Sequence, residues 1–326
     1  MTTTTGRPRL EPVGHSGPAQ RLALLPPAMV VLAAMLWGTD GLWRTELLKT
    51  LSARAIVFWE HVILVAVSGW LLWRARRDLA RLRPTDWLAV ALIGVGASAV
   101  ATVLFTEAFR LASPTTVILL QKTQPLVAIS LAALLLREPL PAAFWPLLPV
   151  ALLGTYLISF GDTGPLASLA AIGDRPLGAA YTLGAAALWG AGTVLGRFLL
   201  ARIASPVMTA LRFATALPAL GVLAALSGWG VPGPGALPPL LALSLVAGAG
   251  GILLYYRGLR DTPASVATLC ELSFPITAII LNAIVLGTPV TPNQVVGILL
   301  LWGSIALMRN WPAPRVPGRP VAAPAP

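Results

Sequence analysis

The chain has 326 residues, 56% hydrophobic and 11% charged, with a mean hydropathy of +0.80. Soluble domains carry about 25% charged residues, so this composition excludes a soluble enzyme and points to a membrane protein. The net charge of +11 does not mark a nucleic-acid binder, because the basic residues cluster in short loops between apolar runs.

Residues 1–25 are polar and lack the apolar core of a cleavable leader, and they are expected to form a disordered tail. Ten apolar segments follow, at 26–45, 54–73, 86–110, 114–137, 141–160, 177–201, 206–227, 236–257, 263–287 and 292–308. Most approach or exceed the roughly 20 residues a helix needs to cross a bilayer. Residues 162–176 read as a connecting loop and 310–326 as a Pro-rich tail. With the N-terminus cytoplasmic, 15 Lys and Arg fall on the cytoplasmic side and five, including Arg44, on the other. That asymmetry predicts a multi-pass plasma-membrane protein with both termini cytoplasmic. Lys122, Arg197 and Arg212 fall within segments, and Arg197 reads as snorkelling from a helix end.

The sequence repeats internally. "AAMLWGTDGLWR" at 33–44 recurs as "AAALWGAGTVLG" at 185–196, and "SPTTVILLQKTQP" at 113–125 recurs as "TPASVATLCELSFP" at 262–275. Each copy, 26–161 and 177–309, holds five segments. An odd number turns the second copy upside down in the membrane. The predicted fold is therefore an all-α membrane protein of ten transmembrane helices arranged as two inverted-topology repeats. Such repeats are typical of secondary transporters, whose site lies near the midplane between them.

These copies resemble the EamA repeats of the drug/metabolite transporter superfamily. The matching elements are Trp37-Gly38 and Trp189-Gly190, "FTEAFRLASP" and "YYRGLRDTP" closing segments three and eight, and Pro125 and Pro275 midway in segments four and nine. "LLLREPL" at 134–140 carries the family's glutamate, Glu138, whereas the second copy reads "LGTPV" with Thr288 in that place. The resemblance covers residues 28–308. It implies a ten-helix exporter or exchanger of small metabolites, with segments one to four and six to nine around a central cavity. It does not imply one substrate, since the superfamily spans amino acids, nucleotide sugars, triose phosphates and drugs.

The charge pattern agrees independently. Segments five and ten have no ionisable residue in their interiors and are free to face lipid. The others, segment eight excepted, hold Asp40, Glu60 with His61, Glu107, Lys122, Arg197, Arg212 and Glu271. Under the repeat offsets Glu60 aligns with Arg212 and Lys122 with Glu271, with the sign reversed at both pairs. Each pair reads either as part of a site for a polar substrate or a proton, or as a structural salt bridge. Gln121 beside Lys122 and Tyr256 in "YYRGLRD" join the candidates. His61 reads as a protonation switch or a packing histidine, and Glu107 as a site residue or a snorkelling one. Asp40 in "WGTDG" reads as lining a helix opening or as a cap. Trp37 and Trp189 stack on substrate or pack the core. Pro125 and Pro275 kink their helices, as hinges or static bends. "GVGAS" at 94–98 and "AGAGG" at 247–251 are expected to let helices approach closely.

No H-E-x-x-H, G-x-S-x-G or P-loop motif occurs, so neither a metalloprotease, an acyl-enzyme nor ATP drive is supported. A membrane-embedded enzyme using Glu, His and Asp, or a channel, is the rival to a carrier. No cofactor and no metal are expected. The expected partners are a small-molecule substrate and the lipid bilayer, with proton coupling and a homodimer as open additions and no nucleic acid.

Overall fold

The computed structural model describes residues 18–112, 117, 120–138, 140, 142, 144–160, 176–286 and 289–307, and among them every regular element is helical. Six helical stretches are long and apolar enough to cross a bilayer: Leu25–Leu47, Pro84–Leu111, Pro176–Leu200, Ser205–Leu226, Pro234–Leu259 and Ala264–Leu281. Shorter helices occupy the places of segments two, four, five and ten: Ala53–Ser68, Gln124–Leu136, Phe144–Ser159 and Pro292–Leu307. The protein is an all-helical, multi-pass membrane protein. Its first helix starts at Pro18, inside the stretch expected as a tail. Residues 1–17, 161–175 of the connecting loop, Thr288 and the C-terminal tail lie outside the described residues.

Local signals set the helix ends. Ser52 Oγ accepts from Ala55 N at 3.2 Å to open segment two. Segment three starts on Pro84, and Asp86 reaches back to Arg83 N at 3.0 Å. Segment four closes on Arg137, which adopts a left-handed φ of 52°. That turn leads directly into Glu138.

The packing is reciprocal. Segment one lies against segment eight and segment six against segment three; two pairs with seven and five with ten. This is the pattern of a pseudo-two-fold arrangement, in which equivalent faces meet. Five and ten approach at Gly154 and Gly297, where a Cβ on either would lie within 2.7 Å of the other's carbonyl oxygen. Backbones come this close only through small residues. Leu153, Leu299 and Trp302 on these two helices stay exposed, as lipid-facing helices require.

Several helices are interrupted at mid-depth. Segment one stops at Trp37 and resumes at Asp40. Segment four resumes at Gln124 after a turn at Lys122 and Thr123. Segment nine tightens to a 3₁₀ turn over Glu271–Ser273 between Ala264–Cys270 and Phe274–Leu286. Pro125 and Pro275 are each the second residue after the interruption. A proline there has no N–H to give the carbonyl four residues back, so the ladder ends at Gln121 and Glu271. Segments three and eight instead widen into π-helix over Leu92–Val100 and Leu243–Gly251. These are the two small-residue runs, and each receives a tryptophan of the opposite repeat. Trp189 Nε1 donates to Ala97 O at 2.9 Å, and a Cβ on Gly251 would lie 2.6 Å from Trp37 Nε1.

Candidate functional site

The interrupted helices meet. Thr277 Oγ1 of segment nine donates to Met35 O of segment one at 2.7 Å, and Gln124 Nε2 of segment four donates to Glu271 Oε2. Beside this junction lies a cavity of about 390 Å³, within the roughly 300–1,000 Å³ range of small-molecule sites. Among the described residues, none of segments five and ten lines it.

Glu271 is held by neutral donors. Oε1 accepts from Tyr255 Oη at 2.8 Å and Thr193 Oγ1 at 3.3 Å, and Oε2 accepts from Gln124. Lys122 lines the same cavity, yet the two form no ion pair. Its ammonium instead rests 3.3 Å from the centroid of the Phe274 ring, with no hydrogen-bond partner among the described residues.

The expected Glu60–Arg212 pair does not form either. Glu60 Oε2 lies 3.1 Å from Arg44 Nη2. Arg44 Nε lies 2.8 and 2.9 Å from the Asp40 carboxylate oxygens, and Nη1 donates to Thr106 at 3.2 Å. Arg44 is 4% exposed, so its assignment to an outer loop is corrected: one guanidinium neutralises two carboxylates on segments one and two. The sequence placed it one turn after Asp40, the spacing of an (i, i+4) ion pair. Arg212, relieved of Glu60, binds neutral groups: Ser98 Oγ at 3.2 Å, Tyr256 Oη at 3.2 Å and Ala97 O at 3.0 Å.

His61 lines the cavity with Glu60 and bonds Val57 O at 2.9 Å and Ser98 Oγ at 3.0 Å. Asp40, Trp37, Trp189, Gln121 and Pro125 also line it. Tyr256 does not; it is fully buried behind the wall, and its neighbour Tyr255 faces the cavity, packed at 5.1 Å against Trp37. Glu107 is not among the lining residues and pairs with Arg110 at 3.2 Å on the surface. Pro275 lies beside the cavity-lining Phe274 without lining it. Arg197 does not snorkel: it is buried and donates to the carbonyls of Leu259 and Arg260 at the end of segment eight. Sequence reasoning missed Thr193 and Gln124, whose hydroxyl and amide carry no periodic signal. Among the described residues no cluster of His, Cys, Asp and Glu is placed to hold a metal ion.

Two sets of contacts fasten the repeats together at one end of the helices. Glu138 Oε1 accepts from Ala264 N at 3.0 Å, and Oε2 from Ser265 N and Oγ at 3.2 and 3.1 Å. Arg202 Nη1 lies 2.8 Å from Asp86 Oδ1. Both contacts join one repeat to the other. No lining residue lies in the last helical turn at that end, whereas Leu42, Thr45 and Phe109 carry the lining toward the opposite end.

Two symmetric helical repeats, interrupted helices and a charged cavity between them define a small-molecule membrane transporter. The EamA-like transporter family model matches residues 25–160 and again 176–310, and the chain belongs to that family. It is 34% identical over 289 residues to the riboflavin transporter ImpX of Fusobacterium nucleatum, covering 85% of this chain and 95% of that protein. It is 25% identical over 278 residues to the uncharacterized transporter YwfM of Bacillus subtilis, covering 83% and 89%. A solved crystal structure shares the fold with a TM-score of 0.68 at 19% identity, covering 88% of this chain and 96% of its own.

Proposed function

We propose that the protein is a plasma-membrane carrier for a planar, polar aromatic metabolite of the riboflavin kind, working by alternating access. The observation that carries this reading is the cavity at the junction of segments one, four and nine, walled by Trp37, Trp189, Phe105, Tyr255 and Phe274 and dotted with buried polar groups. Aromatic faces stack on a flat ring while the few polar groups orient it. The riboflavin transporter relative supports the substrate class. Ten helices in two inverted repeats, with both termini cytoplasmic, complete the proposal. The Glu138 end is then the cytoplasmic one, and the cavity faces outward. Direction follows the gradients, so export and exchange are two uses of one carrier.

Of the three carboxylates lining the cavity, Glu271 alone has no ion pair among the described residues, since Asp40 and Glu60 share Arg44. Glu271 is therefore the proposed proton site. Purified protein in liposomes loaded with riboflavin should show saturable counterflow of labelled riboflavin. Amino acids and cationic drugs should compete poorly. Absence of counterflow would sink the substrate, ohmic current would indicate a channel, and chemical conversion an enzyme. Glu271 should be dropped as the proton site if Glu271→Gln responds to an imposed pH gradient as the unmodified protein does, and proton coupling itself if transport by both is indifferent to that gradient.

A further inference from the structure

Most polar groups lining the cavity are saturated. Glu271 takes three donors, Arg212 reaches three acceptors, His61 two partners, and Arg44 two carboxylates and a hydroxyl. Four buried atoms of lining residues have no hydrogen-bond partner among the described residues; one, Asp40 Oδ1, is ion-paired with Arg44, which leaves three. Lys122 Nζ, Gln121 Oε1 and Thr268 Oγ1 are buried and have no hydrogen-bond partner among the described residues, and all three residues line the cavity. Buried polar atoms in native proteins are nearly always bonded, so three orphans in one cavity call for a reason.

Their placement supplies it. Gln121 and Lys122 sit at the interruption of segment four, and Thr268 one turn before Glu271 on segment nine. The Gln124–Glu271 hydrogen bond joins the two segments, one turn from Gln121 on the first and one turn from Thr268 on the second. We infer that Lys122, Gln121 and Thr268 form a subsite that reads an imide edge, a ring N–H flanked by carbonyls, on a planar heterocyclic substrate. The inference rests on the carrier reading above and names the part of the substrate that the site recognises.

The donor and acceptor inventory selects that edge. An ammonium only donates, an amide oxygen only accepts, and a hydroxyl does either. A carbonyl oxygen satisfies Lys122, the adjacent ring N–H satisfies Gln121 Oε1, and the second carbonyl takes the Thr268 hydroxyl. A carboxylate would serve Lys122 but set negative charge against Gln121 Oε1. A cationic ligand would meet the Lys122 ammonium. The subsite thus rejects both by mismatch as well as choosing the imide by fit. Each of the three atoms is covered, so engagement requires side chains to swing. Lys122 and Gln121 have long, unbranched stems suited to that. Drawing the Lys122 ammonium away from Phe274 also uncovers an aromatic face for the ring.

The test uses full-length protein in lipid nanodiscs with riboflavin, N3-methylriboflavin and uridine as probes, read by equilibrium binding. N3-methylation should weaken binding to the unmodified protein at least ten-fold, a comparison that needs no variant. Gln121→Leu should bring the two flavins within two-fold of each other. Lys122→Met should weaken riboflavin at least ten-fold. Equal binding of both flavins to the unmodified protein overturns the subsite while leaving the substrate reading intact. No riboflavin binding, with uridine bound and lost in Lys122→Met, overturns riboflavin as substrate and supports the subsite. Binding of none of the three overturns both.

Discussion

The Arg44 cluster and the Lys122–Glu271 cluster line one cavity with the same kinds of charge but opposite bookkeeping. Arg44, Asp40 and Glu60 are tied by ion pairs at 2.8 and 3.1 Å, all within the first repeat. Lys122 and Glu271 come from different repeats and are not paired with each other; one rests on a ring and the other is held by hydroxyls and an amide. A closed network leaves no capacity for a ligand, whereas the Lys122 ammonium, without a hydrogen-bond partner among the described residues, keeps it. The difference separates a scaffold from a binding surface within a single pocket.

That contrast breaks most readily at Arg44. Arg44→Met strands the buried Glu60 carboxylate and the partly buried Asp40 one, and removing one member of such a network costs about 3–5 kcal/mol. Melting temperature in detergent should fall sharply. If the fall is no larger than for Lys122→Met, the distinction between the clusters collapses. Lys122→Met should leave the melting temperature unchanged or raise it, because a buried cation without a hydrogen-bond partner is removed, while riboflavin counterflow drops ten-fold or more. Gly251→Ala presses a methyl against Trp37 and should cost about 1–3 kcal/mol through overpacking, with binding weakened as the Trp37 face shifts. Glu138→Gln keeps the shape of the cap but loses its charge at a helix N-terminus, a loss of about 0.5–2 kcal/mol by thermal melt. Glu107→Gln should change stability by less than about 0.5 kcal/mol and leave transport intact, since its partner Arg110 is on the surface. A large transport loss there would return Glu107 to the site.

Much of this was legible in the sequence because the repeat and the apolar runs are long, redundant signals. The membrane class, the duplication and the breaks near Pro125 and Pro275 follow from them. Lys122, Glu271, Glu60 and His61 stood out because a charge or imidazole in an apolar run is conspicuous. Their partners were not legible. Alignment of the copies brings Glu60 opposite Arg212 in sequence, but a side chain bonds whatever its rotamer reaches, and Arg44 reaches Glu60 first. Tyr255 and Tyr256 differ by about 100° of helix rotation, which a segment boundary uncertain by a residue cannot fix. Thr193 and Gln124 reach Glu271 from distant segments, Thr193 within the second repeat and Gln124 across the repeats, contacts that no local pattern encodes.

The Glu138 cap has one more implication, for where the molecule rests between turnovers. Two perfectly identical halves would make the inward and outward forms mirror equivalents of equal energy. Here one end is fastened by a carboxylate on two backbone amides and a hydroxyl, while the matching position in the second copy is Thr288. A threonine cannot place a charge on a helix N-terminus. Each 1.4 kcal/mol by which such contacts favour one form tilts the resting populations ten-fold. On the alternating-access reading proposed above, the Glu138 contacts favour the form in which that end is fastened.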